Sequence, residues 1–226
     1  RVYGSELLLP ADDAIRERLD EAERQSGAGR IDDPLPEQAR INVQLYGLGG
    51  GLYELLKRGD IVEGTFDASR FDTGNYVLIT EAMLGGSDRY AAYYRPGDSL
   101  ALPGSNREYE VMAVLRYDAF YALGSRFFSP LGFNVYLPAS ETAASYPDAA
   151  LLSVSLTAAP ADRARLEAQA RALTEDSPSL SVKSRDDYRR ELVGFLRVFR
   201  IVGYSLCLII ALIGLLNYVN TALASV

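Results

Sequence analysis

The sequence lacks histidine altogether, and its 226 residues include a single cysteine, Cys207. Without histidine, the chain cannot form a Ser-His-Asp or Cys-His nucleophile, and it cannot hold zinc through imidazole nitrogens. With one cysteine, it cannot form an internal disulfide. The lack of disulfides favours a bacterial rather than a eukaryotic source for any part that lies outside the cytoplasm.

Positive charge is also scarce. The chain has 23 basic and 30 acidic residues, and residues 1–183 alone carry 18 basic against 27 acidic residues. A surface of this sign repels nucleic acid and anionic lipid, and no basic patch offers a nucleic-acid footprint. Nucleic acid is therefore excluded as a partner.

From Ile201 to Val226 the sequence has no charged residue at all. A helix needs ~20 apolar residues to cross the hydrocarbon core of a bilayer, and the core helix of a soluble protein rarely stays uncharged for so long. We predict a transmembrane helix over residues 201–224, with a soluble core helix as the alternative. The bilayer is then a partner of this chain.

Small and polar residues form one stripe along this predicted helix, at spacings of three or four. The stripe consists of Gly203, Cys207, Ala211, Gly214, Asn217 and Thr221. Small residues let helices approach closely in lipid, and an intramembrane asparagine requires a partner on a neighbouring helix. We expect the stripe to pack in a bundle whose other helices lie outside this chain.

The segment before the membrane helix predicts a stalk. Ser184-Arg-Asp-Asp187 fits a capping box, and no proline follows it. We therefore predict one helix from about Arg185 to about Ala224, ~60 Å long, whose residues 185–200 project from the membrane. One face of this stalk carries the predicted interface residues Tyr188, Leu192, Phe195 and Phe199.

The preceding residues alternate between helix and strand patterns. Residues 11–26 predict a helix with an apolar stripe of Ile15, Leu19 and Ala22, and residues 40–46 predict a half-buried strand. Residues 59–138 predict short strands and turns, of which the strand over Glu108–Tyr117 is covered on both faces. Residues 151–184 predict a βαβ unit that ends in a strand over Leu180–Val182.

No motif in the sequence predicts catalysis, a cofactor or a metal site. The glycine run Gly47–Gly51 fails the spacing of a dinucleotide-binding or phosphate-binding loop and is interpreted as a connector. The carboxylate pairs Asp12/Asp13 and Asp186/Asp187 stand at predicted helix starts, and Asp32/Asp33 lies in a polar loop. The tyrosines Tyr90, Tyr93 and Tyr94 are interpreted as a loop packed on the strands.

Four short segments precede the predicted membrane helix in the order Val62–Gly64, Tyr76–Ile79, Pro96–Leu100 and Tyr109–Val114. Within that helix, Gly214, Asn217, Asn220 and Ser225 form a fifth pattern. Together the five segments resemble a known family, the FtsX-like or MacB-like permeases of ABC transporters, which has them in this order and the last in the helix after its extracytoplasmic domain. Ala113 departs from the pattern, because the family often has glycine there.

The resemblance implies an α+β fold with two subdomains. A porter-like α/β subdomain would comprise residues 1–48 and 150–184, and a β-rich, sabre-like subdomain would be inserted at 49–149. It implies a permease subunit in a bacterial cell membrane with residues 1–200 extracytoplasmic. Its partners would be a second permease, as a homodimer or pseudo-dimer, and a cytoplasmic ATPase that binds ATP and Mg²⁺ in a separate chain. The chain itself would be no enzyme, and would pass ATP-driven motion to a substrate or partner protein.

A receptor is the alternative. An extracytoplasmic sensor domain joined to a signalling helix would give a similar pattern. The arginines before Ile201 also oppose the proposed orientation, since positive charge usually flanks a membrane helix on the cytoplasmic side. The resemblance and the small-residue stripe favour the permease.

Overall fold

The computed structural model describes residues 1–26, 39–84, 90–120 and 131–224. The chain divides into two compact units, Arg1–Ser155 and Leu156–Val226. The fold class is α+β, as predicted, with a large sheet in the first unit and a long apolar helix in the second.

Strands dominate the first unit and helices the second. The strands are β1 (Val2–Pro10), β2 (Arg40–Leu48), β3 (Ile61–Gly64), β4 (Tyr76–Thr80), β5 (Ala82–Met83), β6 (Tyr90–Ala91), β7 (Ser99–Ala101), β8 (Glu108–Leu115), β9 (Phe133–Pro138) and β10 (Ala150–Ser153). The helices are α1 (Asp13–Ser26), α2 (Ala68–Arg70), α3 (Ala139–Ser145), α4 (Arg163–Thr174) and α5 (Arg185–Ala224). Short 3-10 helices cover Gly50–Leu55 and Arg58–Asp60, and an irregular helical turn covers Phe71–Asn75.

One mixed sheet organises the first unit. Its strand order is β10-β1-β2-β9-β4-β8-β3. Strand β3 pairs with the second half of β8, and β7 pairs with the first half of β8 on the same edge. The pairs β2–β9 and β4–β8 are parallel, and the remaining pairs are antiparallel. Apolar clusters cover both faces of the sheet, so its central strands are buried on each side.

Helix α1 covers one face of the sheet as its sequence predicts. The Asp12 carboxylate accepts a hydrogen bond of 2.9 Å from the Ile15 N–H and so caps the helix. Ile15 and Leu19 are buried in the same cluster as Leu9 of β1 and Val43 of β2. Ile15 and Leu19 of the predicted stripe therefore face the sheet.

Strand β2 differs from its prediction. Its alternating pattern predicts one polar face, but Gln44 and Tyr46 on that face are 7% and 4% exposed. The reason is position, because β2 lies between β1 and β9 and both of its faces are covered. The Tyr46 hydroxyl donates a hydrogen bond of 2.9 Å to Gln44 Oε1, which lets both polar groups be buried.

Strand β8 confirms its prediction of burial on both faces. All five residues from Val111 to Leu115 are buried, and they contribute alternately to the two apolar clusters except near a register shift. Its early residues Glu108 and Glu110 are exposed. The strand thus passes from the edge of the sheet into its core.

The predicted βαβ unit is incomplete. Strand β10 pairs with β1 and α4 forms, but the strand predicted over Leu180–Val182 is absent from the described residues, where this segment has no regular structure. Leu180–Val182 has no paired neighbour among the described strands, and a segment without ladder partners does not form a strand. Strands from both predicted subdomains share the one sheet, and the unit boundary lies at Ser155. The porter-like and sabre-like division stays a prediction.

Candidate functional site: the C-terminal helix

Helix α5 carries every residue that the sequence singles out as functional. It runs unbroken for 40 residues from Arg185 to Ala224, the bounds predicted from the sequence. At ~1.5 Å per residue it is ~60 Å long, about twice the hydrocarbon thickness of a bilayer. Residues Arg185–Thr221 contain a candidate membrane span by length and composition.

The predicted capping box starts the helix. The Ser184 N–H donates to Asp187 Oδ2 over 2.9 Å, and the Asp187 N–H donates to Ser184 Oγ over 3.2 Å. Asp187 also accepts hydrogen bonds from Arg190 and from Arg171 of α4, each at 2.5 Å. The bond from the Ser184 N–H holds the pKa of Asp187 below its ordinary value, and both guanidinium groups act in the same direction.

This cap predicts how the stability of the helix start depends on pH. Because the folded-state pKa of Asp187 lies below its ordinary value of 3.8, the cap contributes fully to that stability at any pH above 3.8. Its contribution is lost only as the pH falls below the ordinary value towards the folded-state pKa. Carbon-13 NMR of the carboxyl groups in aspartate-labelled protein should show one resonance, assigned by its loss in Asp187→Asn, that titrates below the ordinary aspartate value of 3.8. Titration of this resonance at the ordinary aspartate value would contradict the cap.

The predicted stalk face is exposed along its whole length. Tyr188, Leu192, Phe195 and Phe199 are each 58 to 61% exposed. The rings of Phe195 and Phe199 contact each other, with centroids 4.6 Å apart, and this pair extends the apolar surface. Four large apolar side chains on one exposed helix face are typical of a surface that another helix covers. Their role as a stalk interface stays a prediction.

The predicted membrane stripe is likewise uncovered. Gly203, Cys207, Ala211, Gly214, Asn217 and Thr221 are all exposed. A Cβ added at Gly203 or Gly214 would meet no atom within 4 Å. The Thr221 hydroxyl donates to the Asn217 carbonyl over 2.8 Å, whereas the Asn217 amide side chain has no hydrogen-bond partner among the described residues. Its function in helix packing also stays a prediction.

The stalk face and the membrane stripe form one continuous face of α5. From Tyr188 to Thr221 every step between successive members is three or four residues, and the step that joins Phe199 to Gly203 is four. Because α5 is a single helix, neighbours at this spacing lie on the same side. The face is aromatic in the stalk and small in the membrane segment, so one partner helix is able to follow it throughout.

Apolar length and aromatic positions indicate where α5 would cross a bilayer. A hydrocarbon core of ~30 Å would extend from Ile201 to about Thr221. Tyr204 and Tyr218 lie about one turn inside these two ends and are 70% and 73% exposed. Tyrosine is enriched at both membrane interfaces, so the pair fits a span with these limits.

The first unit contains a buried carboxylate that the sequence does not reveal. Glu141 is 8% exposed, and its Oε2 accepts a hydrogen bond of 2.7 Å from Arg107 Nη1. Its Oε1 accepts hydrogen bonds from the Tyr109 hydroxyl at 3.0 Å and from Ser145 Oγ at 2.6 Å. Gly74 has φ 77°, and a Cβ there would lie 2.9 Å from Glu141 Oε2. These contacts satisfy the carboxylate and join α3 to β8, so we interpret the cluster as structural.

Removing the arginine of this cluster is expected to destabilise the first unit. Arg107→Ala leaves Glu141 buried without its counter-charge, and the expected loss is about 2 to 3 kcal/mol in free energy of unfolding. Arg70→Ala is the matched control, because the contacts of Arg70 are at the surface. Glu110 is half exposed and 3.9 Å away, and the Tyr76 hydroxyl accepts an exposed hydrogen bond of 2.8 Å. The control should lose less than about 1 kcal/mol. Urea unfolding followed by tyrosine circular dichroism measures both, and equal losses would contradict the structural role of Glu141.

The other candidate groups of the sequence have structural roles where they are described. Asp12 caps α1, and Asp187 caps α5. Tyr93 and Tyr94 are buried against Phe133, which confirms that this loop packs on the strands, whereas Tyr90 is 42% exposed. Asp32 and Asp33 lie outside the described residues. Within the described ranges, no group of three or more Asp, Glu, His or Cys side chains is arranged to hold a metal ion.

Comparisons with known proteins give a likeness to solved structures but no family. No protein-family model matches the chain, and no curated protein matches it. Among solved structures, the chain is similar to the extracellular domain of the noncanonic ABC-type transporter YknZ from Gram-positive bacteria. The sequences are 16% identical, and the alignment covers 78% of this chain and 94% of that domain with a TM-score of 0.36. A TM-score this low carries no argument about function.

Proposed function

We propose that this chain belongs to a permease subunit of an ABC transporter of the FtsX-like or MacB-like class. In this proposal, residues 1–200 are extracytoplasmic and residues 201–224 cross a bacterial cell membrane. The observation that supports it best is the unbroken helix α5, which continues from an exposed, charged stalk into a segment without charge. The resemblance of five sequence segments to that class supports the same function.

The proposed role is the transmission of motion. A single helix with an unbroken hydrogen-bond ladder moves as a unit, so a displacement of its membrane half is passed to its stalk half. ATP hydrolysis would take place in a separate cytoplasmic ATPase that binds ATP and Mg²⁺. The first unit, with its sheet buried on both faces, would pass the motion to a substrate or to a partner protein outside the cytoplasm.

A second permease is the proposed partner of the continuous face of α5. Small residues permit close helix approach in lipid, and the exposed Asn217 amide offers an interhelical hydrogen bond. A homodimer or pseudo-dimer would place two such faces together, because a two-fold axis makes one patch face its own copy. The aromatic residues of the stalk would then extend the contact beyond the membrane.

Co-purification from native cells tests the function. The full-length membrane protein should retain a P-loop ATPase in a stoichiometric ratio after solubilisation in mild detergent. A tagged variant that ends before Ile201 is the control and should not retain the ATPase. Recovery of a kinase or a chemosensory protein in its place would contradict the permease and favour the sensor of a membrane receptor.

Cysteine cross-linking tests the partner of the α5 face. In a Cys207→Ser background this chain has no other cysteine, so Phe199→Cys reports the stalk face alone. We expect Phe199→Cys to form a disulfide-linked dimer in membranes at least about tenfold faster than Gly194→Cys, which lies on another side of the helix. Equal rates at the two positions would contradict a specific contact along this face.

A further inference from the structure

Two arginines stand apart from the other charges of α5. Arg197 and Arg200 directly precede Ile201, where the uncharged segment begins, and both are exposed. They are three residues apart, so they lie on the same side of the helix, ~4.5 Å apart along its axis. We call them the arginine pair.

The arginine pair has no ion-pair partner among the described residues. Two other cations of this region are paired, since Lys183 binds Glu191 at 2.7 Å and Arg190 binds Asp187 at 2.5 Å. Arg185 and Arg189 also have no ion pair among the described residues, but they lie farther from Ile201. No carboxylate stands three or four residues before or after Arg197 or Arg200. Like charges at this spacing repel each other on a helix, and a bound anion removes that repulsion.

The depth of the arginine pair coincides with one chemical layer of a bilayer. This step rests on the proposed function, in which α5 crosses the membrane from Ile201. The headgroup layer is ~5 to 8 Å thick on each side of the hydrocarbon core. Arg200 and Arg197 lie ~1.5 and ~6 Å outside Ile201 along the axis, within that layer. Arg189 lies ~18 Å outside Ile201 and is therefore beyond the layer. Tyr204, one turn inside, fits the aromatic belt at the same interface.

We propose that Arg197 and Arg200 bind the phosphate headgroup of an anionic phospholipid. A guanidinium presents parallel N–H donors that match the oxygens of a phosphate, and its charge is permanent. Two such groups one turn apart supply the charge and the donors for one phosphate. The acidic residues 1–183 disfavour anionic lipid in general, so a preference for it requires a local site such as this one. Bound lipid also explains how these arginines are tolerated on the extracytoplasmic side.

Lipid selectivity tests the proposal. The chain is reconstituted in vesicles of phosphatidylcholine that contain a small fraction of spin-labelled phosphatidylglycerol, and electron paramagnetic resonance gives the relative association of the two lipids. The expected preference for phosphatidylglycerol is about 5- to 30-fold, since one or two arginines near the headgroups each contribute about a fivefold increase. Arg197→Gln/Arg200→Gln should abolish that preference.

A second pair gives a matched control. Arg185→Gln/Arg189→Gln removes the same charge from the same helix, at an i, i+4 spacing and ~18 to 24 Å outside Ile201. This variant should keep the preference for phosphatidylglycerol. The proposal is overturned by a wild-type chain without preference, by a preference that survives Arg197→Gln/Arg200→Gln, or by an equal loss in both double variants, which would show diffuse attraction only.

The thiol of Cys207 separates this proposal from the proposed function. Cys207 lies six residues inside the uncharged segment, so a spanning α5 should protect it from a membrane-impermeant maleimide in the same vesicles. A protected Cys207 in a wild-type chain that shows no preference for phosphatidylglycerol would overturn the lipid site alone. Rapid labelling of Cys207 would overturn the membrane span, and the lipid site with it.

Discussion

Phe71→Ala is expected to lower the free energy of unfolding of the first unit by about 3 to 5 kcal/mol. Phe71 is fully buried under the sheet, in the same apolar cluster as Leu78 of β4 and Tyr136 of β9. Truncation to alanine leaves a cavity that the surrounding strands are unable to close. A loss of this size is a large part of the 5 to 15 kcal/mol that typically holds a domain together.

The surroundings of Phe71 explain why its replacement is so costly. Its ring makes edge contacts with Tyr53 at 5.4 Å and with Phe66 at 5.7 Å between centroids, so truncation removes two aromatic contacts. The helical segment that carries Phe71 begins after Asp67, whose carboxylate caps α2 through the N–H groups of Ser69 and Arg70. The backbone is therefore fixed, and a smaller side chain leaves the space empty.

Thermal unfolding in detergent, followed by the tyrosine circular dichroism of the first unit, measures this prediction. The midpoint should fall by about 10 °C in Phe71→Ala. Phe199→Ala is the control, because that ring is 61% exposed on α5 and its loss should leave the midpoint unchanged. A fall of less than about 2 °C in Phe71→Ala would mean that the ring is not part of a closely packed core.

The sequence predicts local features of this chain well. Ser184 and Asp187, within four residues, mark the start of α5, and the uncharged residues after Arg200 mark its apolar segment. Both ends of α5 are therefore predictable without any long-range contact. The stripe Ile15 and Leu19 likewise predicts which side of α1 is buried. Each of these features depends on residues within a few turns of one another.

Long-range pairing is what the sequence does not predict. Nothing in Gln44 or Tyr46 indicates that β9, about 90 residues later, pairs with the second edge of their strand and makes it a central strand. The buried Glu141 is equally hidden, because its partners Arg107 and Tyr109 lie more than 30 residues away and no motif links them. The strand predicted at Leu180–Val182 fails for the same reason, since alternation describes a strand's faces and not its neighbours.

Asn217→Leu is expected to weaken the assembly of the membrane segments by about 3- to 30-fold in detergent. The Asn217 amide has no hydrogen-bond partner among the described residues, and in lipid such a group gains by bonding to another helix. An interhelical hydrogen bond of this kind is worth about 0.6 to 2 kcal/mol, which corresponds to that factor. Leucine has a similar size and adds no polar group, so the variant removes the hydrogen bond and little else.

The position of Asn217 on α5 supplies the controls. Gly214→Leu, one turn earlier on the same face, should weaken assembly at least as much, because the added side chain holds the helices apart. Val219→Leu, on another side of the helix, should leave assembly unchanged. Analytical ultracentrifugation of the full-length protein gives the association constants, and the midpoint of thermal unfolding of the first unit should be the same in all variants. Unaltered assembly in both Asn217→Leu and Gly214→Leu would contradict a packed helix face. In that case α5 would be a solitary membrane anchor, and the continuous face from Tyr188 to Thr221 would have no packing role.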